Sequence, residues 1–315
     1  MKVFLAGATG VLGRRVVSRL LKAGHEVAGL SRSDANSRLL RDLGAEPRPG
    51  SLFDAGEVIR ASEGCEAVMH LATSIPTTPR TRPSDWKPND LIRRKGTKHL
   101  VEAALRHGCR TYVQQSVTLV YGNRHGEWVD ESSPVEAIPG ILKSAFDMEK
   151  IAREAGEQRG LPVAILRCGI FYCEDSAQTR LLLEMTEKGQ APVIGEGDAW
   201  WSLVHVDDAA AAFVDAIERP AEAAGGTFNI CDDTPVRYAE LQAGLAEMLG
   251  AKRPGRMPKL LAKLLLGGHA IDFLEASVRC RNGAARERLG WSPAYPGWRE
   301  GFAEVLRSRS AAARS

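Results

Sequence analysis

The chain has 315 residues, of which 44% are hydrophobic and 26% are charged, and its formal net charge is +3. This length suits one α/β domain with an appended smaller lobe, or two modest domains, and the composition is ordinary for a globular protein. Without a long basic run, the sequence gives no support for nucleic-acid binding. The longest apolar stretch, residues 260–266, contains Lys263 and is too short to span a bilayer, so we predict no membrane partner.

A β-branched and aromatic strand begins at the second residue and breaks into the turn Gly7-Ala-Thr-Gly10-Val-Leu-Gly13. The helix after it has apolar residues at 16, 17, 20 and 21, which is helical spacing. The first glycine lets the chain turn, the second lets backbone approach a pyrophosphate, and the third allows close packing of helix on strand. The phosphates then lie on the N–H groups and positive dipole of the helix N-terminus. The pattern predicts a dinucleotide site.

The end of the second strand indicates which dinucleotide binds. Residues 26–30 form this strand, and Ser31 and Arg32 follow where an NAD site holds an acidic residue on the ribose 2′-hydroxyl. A guanidinium can clamp a 2′-phosphate bidentately, and a serine hydroxyl can add a bond. The sequence therefore favours NADP(H) over NAD(H). In the alternative interpretation, Arg32 is an ordinary surface arginine and Asp34 takes the ribose after a small shift.

Strands and helices alternate through the first two-thirds of the chain, which predicts an α/β fold: a Rossmann-type, doubly wound parallel sheet. The longest helices of this part are predicted near 85–107 and 140–159, and the first includes the amphipathic run Arg93-Arg94-Lys95. We assign residues 1–175 to the dinucleotide-binding domain, to which 202–232 return. Residues 176–201 and 233–315 mainly form a smaller, interleaved C-terminal lobe that binds the substrate.

The cofactor is expected to contact the glycine turn and the carboxyl ends of the strands, where ligands bind in such sheets. The predicted cofactor-binding residues are Gly7, Thr9, Gly10, Val11, Leu12, Gly13, Ser31, Arg32, Ser51, Leu52, Leu71, Ala72, Thr73, Ser116, Cys168 and Gly169. Six cysteines show no Cys-x-x-Cys pair and no metal spacing with histidine, which predicts reduced thiols, no metal site and a cytoplasmic protein. No signal peptide is expected, because Met1 leads straight into the first strand.

Several short segments resemble one family. They are Gly7 to Gly13, His70-Leu71-Ala72, Gly96-Thr97, Val120-Tyr121-Gly122, Arg167, His205-Val206-Asp207-Asp208, Asn229 and Leu289-Gly290-Trp291. Over nearly the whole chain they resemble the extended short-chain dehydrogenase/reductases of the nucleotide-sugar epimerase/dehydratase type. The resemblance implies a nicotinamide cofactor, a substrate lobe at the carboxyl end and, commonly, a homodimer through the helices near 85–107 and 140–159.

The resemblance also implies a catalytic Ser or Thr, a Tyr, and a Lys four residues after the Tyr. The Tyr exchanges a proton with the substrate oxygen, and the Lys lowers the pKa of the Tyr and holds the ribose. Here these positions are occupied by Val117, Ile141 and Ala145, none of which can transfer a proton. The family's usual Asn is replaced by Arg93. No Tyr-x-x-x-Lys occurs anywhere in the chain.

Without this triad, Gln115 and Ser116 are the candidate catalytic residues. Gln115 shares a strand face with Val117, and Ser116 lies beside it. In the alternative interpretation, both only bond backbone or the cofactor amide. Lost proton transfer costs roughly 10²–10⁴-fold in rate, while hydride transfer is the cofactor's own chemistry. A substrate that needs little acid help, such as an imine or an activated alkene, can still be reduced.

The sequence therefore predicts an NADP(H)-dependent oxidoreductase of atypical extended type. Its substrate is expected to be a small, largely apolar or aromatic metabolite, because the helix face of Ile141, Ala145 and Met148 is apolar. Trp200 and Trp201 either wall that pocket or hold the lobe together. Two other functions remain open: a non-catalytic NAD(P)-binding sensor or regulator, and a non-redox isomerase or lyase that uses the same pocket.

Overall fold

A parallel β-sheet forms the centre of the structure, a computed structural model that describes residues 1–76, 82–135 and 142–312. In chain order the strands are β1 Lys2–Ala6, β2 Glu26–Ser31, β3 Glu46–Pro49, β4 Ala67–His70, β5 Thr111–Val117, β6 Trp128–Val129, β7 Val163–Cys168, β8 Ile170–Tyr172, β9 Val193–Ile194, β10 Trp200–Trp201, β11 Leu203–His205, β12 Thr227–Ile230, β13 Val236–Arg237, β14 Arg256–Met257 and β15 Arg279–Cys280. Seven of them form the central sheet, in the order β12-β7-β5-β4-β1-β2-β3. All its neighbouring strands are parallel, which confirms the predicted doubly wound α/β class.

The helices follow the predicted alternation with strands. They are α1 Val11–Lys22, α2 Asp34–Asp42, α3 Ala55–Ala61, α4 Lys87–Leu91, α5 Thr97–Arg106, α6 Lys143–Arg159, α7 Ala177–Glu187, α8 Val206–Glu218, α9 Pro220–Ala223, α10 Tyr238–Met248, α11 Lys259–Leu266, α12 Gly268–Glu275, α13 Gly283–Leu289 and α14 Trp298–Ala312. The single helix predicted near 85–107 is instead a 3₁₀ turn, α4, a π-helical turn (Ile92–Gly96) and α5 in direct succession. The helix predicted near 140–159 is described from Lys143 onward.

Both faces of the sheet are covered by helices. Strands β4 and β7 are buried at every position, so they need apolar cover on both sides. On one face, α1 and α8 contribute Val16, Val17 and Phe213 to the core. On the other face, α3 and α5 contribute Val58 and Leu100. No helix in the described part of the chain combines the length and the apolar character that a membrane span needs.

The order of the strands reverses between β1 and β4. Strands β2 and β3 lie on one side of this point, and β4, β5, β7 and β12 lie on the other. In open α/β sheets, ligands bind in the crevice at the carboxyl ends of the strands at this switch point. The fold therefore places the glycine turn after β1 at the expected ligand site.

The smaller lobe has its own aromatic core, in which the rings of Tyr172 and Phe302 stack 4.5 Å apart. Residues 202–232 contribute α8 to the core cluster that contains β1, and β12 to the central sheet. Leu289 and Trp291 pack into the same core cluster as β1, and the Trp291 indole donates to the carbonyl of Asp208 at 2.9 Å. The exact division into two domains stays a prediction, as does dimerisation through α4, α5 and α6.

Candidate functional site

The glycine turn packs tightly against the sheet at two of its three glycines. Gly7 has a φ of +93°, and a Cβ added to it would lie 2.5 Å from the backbone nitrogen of Ala72. A Cβ on Gly13 would overlap the carbonyl oxygen of Gly7 and lie 2.8 Å from Ala8. Gly10 differs, because its Cβ would meet only the Gly7 oxygen, at 3.3 Å. The space above Gly10 is therefore open to a ligand.

Helix α1 begins at this open side without a side-chain cap. Gly10 is the N-cap residue, no side chain accepts a hydrogen bond there, and the first turn contains no acidic residue. The first N–H groups of a helix have no partner within the helix and carry partial positive charge. These residues fit a pyrophosphate, which needs such donors and space for close backbone approach.

Of the two residues predicted to bind the cofactor at the end of β2, one has an unpaired side chain and the other is already hydrogen-bonded. Arg32 is exposed, and within the described ranges its guanidinium makes no hydrogen bond or ion pair. The hydroxyl of Ser31 is buried; it donates to the carbonyl of Ser33 at 3.0 Å and shares a hydrogen bond with the Ser37 hydroxyl at 2.8 Å. Arg32 thus remains available to a 2′-phosphate, whereas Ser31 already holds the start of α2. The contact of Ser31 with a cofactor stays a prediction.

The predicted contacts after β3 and β4 lie just beyond the carboxyl ends of these strands. The backbone N–H of Leu71 donates to the Ala6 carbonyl at 2.8 Å, and this bond brings Ala72 against the glycine turn. Thr73 follows as an exposed residue. Leu52 is buried beneath the π-helical turn, and the Ser51 hydroxyl accepts a hydrogen bond from the backbone of Phe53 at 3.2 Å.

The two candidate catalytic residues at the carboxyl end of β5 differ in burial and in hydrogen bonding. Gln115 is half-buried, and its side-chain amide has no hydrogen-bond partner among the residues that the structure describes. The hydroxyl of Ser116 is buried and donates to the Glu149 carboxylate at 2.6 Å. This bond engages the Ser116 proton in the protein interior. Gln115 is therefore the freer of the two, and its catalytic role stays a prediction.

The positions implied for the proton relay are apolar where the structure describes them. Val117 packs against the cluster of Tyr121 and Val129, and Ala145 is fully buried on α6. Ile141 lies outside the described residues. At the end of β7, Cys168 is fully buried, and a Cβ on Gly169 would lie 2.6 Å from the Ser202 carbonyl oxygen. Burial raises the pKa of the Cys168 thiol well above its usual value, so it stays protonated.

Comparison with known proteins assigns this arrangement to a family. Residues 3–231 match the model of the NAD dependent epimerase/dehydratase family. The chain belongs to this family. The 3-diazoavenalumate denitrifying reductase of a Streptomyces species is 31% identical over 96% of this chain and 99% of that protein. An epimerase family protein SDR39U1 homolog from Arabidopsis thaliana is 28% identical over 87% of this chain and 78% of that protein.

Solved structures of the family share the fold over nearly the full chain. The human epimerase family protein SDR39U1 with NADPH superposes with a TM-score of 0.83 at 20% identity, covering 98% of this chain and 99% of that one. The dTDP-glucose 4,6-dehydratase DesIV of Streptomyces venezuelae with NAD and TYD has a TM-score of 0.79 at 23% identity, covering 98% and 96%. At these identities the likeness shows the Rossmann-type fold alone.

A buried ion pair that the sequence did not predict lies behind the candidate catalytic strand. Arg167 on β7 donates to both oxygens of Glu149 at 2.9 and 2.7 Å, and its guanidinium lies 4.7 Å from the centre of the Tyr121 ring. Burial alone would raise the pKa of Glu149, but the hydrogen bonds and charge of Arg167 outweigh it and keep that pKa below its usual value. The signal in the sequence is Arg167 itself, because a charged residue within an otherwise apolar strand needs a buried partner of opposite charge.

Arg93 is a second buried charged residue whose environment differs from the one predicted from the sequence. The sequence puts it in an ordinary amphipathic helix, yet it lies in the π-helical turn with only 5% of its surface exposed. One of its Nη atoms donates to the Ser144 hydroxyl on α6 at 3.3 Å. Burial lowers the pKa of Arg93 to about 10, so it remains a cation at neutral pH.

The two tryptophans of the lobe separate into different environments. Trp201 is buried, with its ring 4.9 Å from that of Tyr238 and 5.7 Å from that of Phe273. Trp200 lies outside this core, and the guanidinium of Arg279 is 4.1 Å from its ring centre. The contacts of Trp201 therefore fit the alternative in which a tryptophan holds the lobe together.

Three acidic or thiol side chains converge after β8, but arginines neutralise them. Cys173, Glu174 and Asp175 bring their ligand atoms within 4.8 Å of one another. Arg14 pairs with Asp175 at 2.6 Å, and Arg15 pairs with Glu174 at 2.5 Å. Burial raises the pKa of Cys173 to about 12, which keeps the thiol protonated. The group is therefore an ion-pair network that anchors α1, and the absence of a metal site stays a prediction.

Proposed function

We propose that this chain is an NADP(H)-dependent oxidoreductase that transfers hydride to a small, largely apolar or aromatic substrate without a Tyr–Lys proton relay. The observation that carries the proposal is the uncapped start of α1 above Gly10, with an exposed Arg32 at the adjacent strand end. A reduced nicotinamide bound there supplies a hydride. Gly10 leaves room for the pyrophosphate, and Arg32 supplies a fork of donors for a 2′-phosphate.

The surroundings of Val117 support a substrate that needs no proton from the protein. Val117 and Ala145 are apolar, and the hydroxyl of the neighbouring Ser116 already donates to Glu149. Addition of hydride to a carbonyl leaves an alkoxide that must be protonated, whereas hydride addition to a cationic iminium gives a neutral amine directly. Hydride replacement of an aryl diazonium group also needs no proton. The C–H bond forms, the C–N bond breaks, and its electron pair leaves with N₂.

The similarity to a Streptomyces protein named 3-diazoavenalumate denitrifying reductase supports the same substrate class. That name describes reductive loss of nitrogen from a diazo compound. We propose that the present chain acts on an electron-poor aromatic substrate of this kind, either a diazonium or an iminium. A ketone or a nucleotide sugar would require the proton donor that the positions of Val117 and Ala145 do not provide.

The Arg32→Ala variant is expected to bind NADPH at least about tenfold more weakly, because a charge-assisted bidentate bond to the 2′-phosphate is lost. Its affinity for NADH should change by less than twofold. The measurement is a fluorescence titration with each reduced dinucleotide. Arg38→Ala, which removes another exposed arginine from the same region, serves as the control and should leave both affinities unchanged. Equal weakening for both dinucleotides would count against the NADP(H) assignment.

The proposed reaction is tested with NADPH carrying deuterium at C4. With an aryl diazonium or a permanently cationic N-alkyl iminium, we expect deuterium on the carbon that accepts hydride. Simple ketones should turn over at least about 100-fold more slowly, since proton transfer contributes roughly 10²–10⁴-fold to such reductions. Tight NADPH binding without deuterium transfer to any of these compounds would favour the sensor. Ketone reduction at the same rate would reveal a proton donor and contradict the proposal.

The pH dependence of kcat separately tests whether the reaction proceeds without a proton relay. Burial lowers the pKa of His70 to about 4, and that of Arg93 lies at about 10, so neither group changes charge between pH 6 and 9. Burial raises the pKa of Asp232 to about 8, so this carboxyl titrates within the range, but it occupies none of the positions implied for the proton relay. With the N-alkyl iminium, kcat should therefore vary less than about twofold over this range. A bell-shaped profile with a pKa between 6 and 9 would show that a titrating acid takes part.

A further inference from the structure

Four short strands outside the central sheet form a small sheet with two unlike faces. Strand β10 pairs with β13 and β15 pairs with β6, and the backbone N–H of Val278 joins the two pairs by donating to the Trp200 carbonyl at 2.8 Å. Successive side chains of a strand point to opposite faces. The inner face consists of buried residues, namely Val129, Trp201, Val236 and Cys280. The outer face, which we call the arginine–tryptophan row, consists of Trp128, Trp200, Arg237, Arg279 and Arg281.

The side chains of the arginine–tryptophan row stack on one another. The Arg279 guanidinium lies 4.1 Å from the ring centre of Trp128 and 4.1 Å from that of Trp200. The guanidinium of Arg281 is 5.2 Å from the Trp128 ring centre, and that of Arg237 is 5.3 Å from the Trp200 ring centre. A guanidinium is attracted to an aromatic face by the quadrupole of the ring. These contacts hold three cations in place, so fewer side-chain rotamers are lost when a ligand binds them.

No carboxylate neutralises this row within the described part of the chain. Arg237, Arg279 and Arg281 form no ion pair there, and their guanidiniums donate no hydrogen bond. Arg237 and Arg281 are exposed, whereas the buried Nε of Arg279 has no acceptor. Glu127, which precedes Trp128, is exposed and pairs with none of the three. Like charges held close together repel one another, and an anionic partner would relieve this repulsion.

The spacing of the arginines fits an extended peptide that carries carboxylates. Arg279 and Arg281 are two residues apart on one strand, which corresponds to about 6.5 Å. An extended segment with an acidic residue at every second position repeats the same spacing and points all of its carboxylates to one side. The planar fork of a guanidinium matches a carboxylate with two parallel N–H···O bonds. Tryptophan and arginine are also enriched among the residues that contribute most to protein–protein binding.

We propose that the arginine–tryptophan row binds a partner protein through an extended acidic segment of that partner, with carboxylates at alternate positions. Single-stranded nucleic acid fits less well, because its bases need open aromatic rings, whereas each indole here already contacts two guanidiniums. The inner face of the small sheet packs against Val117 through Val129 and Cys280. A partner on the outer face therefore leaves the carboxyl end of β5 uncovered, and the inference does not depend on the proposed function.

The test titrates the full chain into fluorescein-labelled peptides and follows binding by fluorescence anisotropy at low ionic strength. A peptide of five Ser-Glu repeats should bind at least about tenfold more tightly than one of five Ser-Gln repeats, because charge-assisted bonds are lost in the second. Five Ser-Ser-Glu repeats carry the same charge but point successive carboxylates to opposite sides of an extended chain. This peptide should bind at least about threefold more weakly than the Ser-Glu peptide.

Paired variants locate the binding surface. The double variant Arg237→Gln/Arg281→Gln should lose at least about tenfold in affinity for the Ser-Glu peptide and keep its affinity for NADPH. Arg38→Gln/Arg253→Gln is the matched control, because it removes two exposed arginines elsewhere and changes the net charge equally. The affinity of this control for the peptide should change by less than twofold.

Four results would overturn the inference. They are undetectable binding of the Ser-Glu peptide by the unaltered protein, equal binding of the Ser-Glu and Ser-Gln peptides, equal binding of the Ser-Glu and Ser-Ser-Glu peptides, and equal losses in the two double variants. The last result would reflect net charge alone. Tighter binding of a labelled single-stranded oligothymidylate than of the Ser-Glu peptide would instead assign the row to nucleic acid and contradict the proposal.

Discussion

The Gly10→Ala variant is expected to lose on the order of 100-fold in affinity for NADPH, about 2.7 kcal/mol, while its melting temperature changes by no more than about 3 °C. The added methyl group projects above the turn, where only the Gly7 oxygen lies within 4 Å and where a pyrophosphate needs close backbone approach. The backbone tolerates alanine, since Gly10 has a φ of −74°. Fluorescence titration and thermal unfolding measure the two quantities.

Gly13→Ala provides the contrast, because its methyl group would overlap backbone beneath the helix. We expect this variant to unfold at a clearly lower temperature or to fail to fold. Both glycines belong to one motif, so motif membership alone predicts the same behaviour for both. Unchanged NADPH affinity in a folded Gly10→Ala variant would show that the space above this residue does not hold the phosphates, and the cofactor assignment would then be wrong.

The Arg167→Met variant is expected to lose about 3–5 kcal/mol of unfolding free energy, because it leaves the Glu149 carboxylate buried without its main partner. Arg153 also contacts Glu149, at 3.1 Å, but is 40% exposed and compensates only in part. Urea unfolding at pH 7 measures the loss. The double variant Arg167→Met/Glu149→Met removes both charges and should recover most of it. A double variant as unstable as the single one would show that packing, and not the unpaired charge, is responsible.

The same pair predicts a dependence of stability on pH. The pKa of Glu149 is lower in the folded protein than in the unfolded chain, so its contribution is present above the unfolded value of 4.5. That contribution is lost as the pH falls through the folded pKa. We therefore expect the unaltered protein to lose stability more steeply below pH 4.5 than the double variant. Parallel acid-unfolding curves for the two proteins would contradict this assignment.

Local sequence patterns predicted the nucleotide end of the site because its geometry is set within a short segment. The strand, the three glycines and the helix N-terminus occupy adjacent positions, and each glycine follows from a backbone requirement that the spacing itself expresses. Arg32 was predicted for the same reason, as the residue after the next strand. The sequence also predicts an added bond from Ser31 to a 2′-phosphate, but it does not show that this hydroxyl shares a hydrogen bond with Ser37 on the following helix.

The catalytic end depends on contacts between distant segments, which periodicity does not encode. Ser116 and Glu149 are 33 residues apart, and only the packing of α6 on the sheet shows that they share a hydrogen bond. Arg93 illustrates the same limit. In sequence it stands in a run of three basic residues, the usual pattern of a solvated helix face. The π-helical turn changes the directions in which these side chains point, so Arg93 is buried while Arg94 remains exposed.

The late return of β12 to the sheet has a consequence for synthesis on the ribosome. Strand β7 is complete at Cys168, but the strand that pairs with its outer edge is not translated until residues 227–230. A nascent chain halted within residues 169–226 would thus present the unpaired backbone of β7, a template for pairing with other chains. Chains truncated before residue 227 should aggregate, and molecular chaperones are expected to engage the nascent protein during this interval.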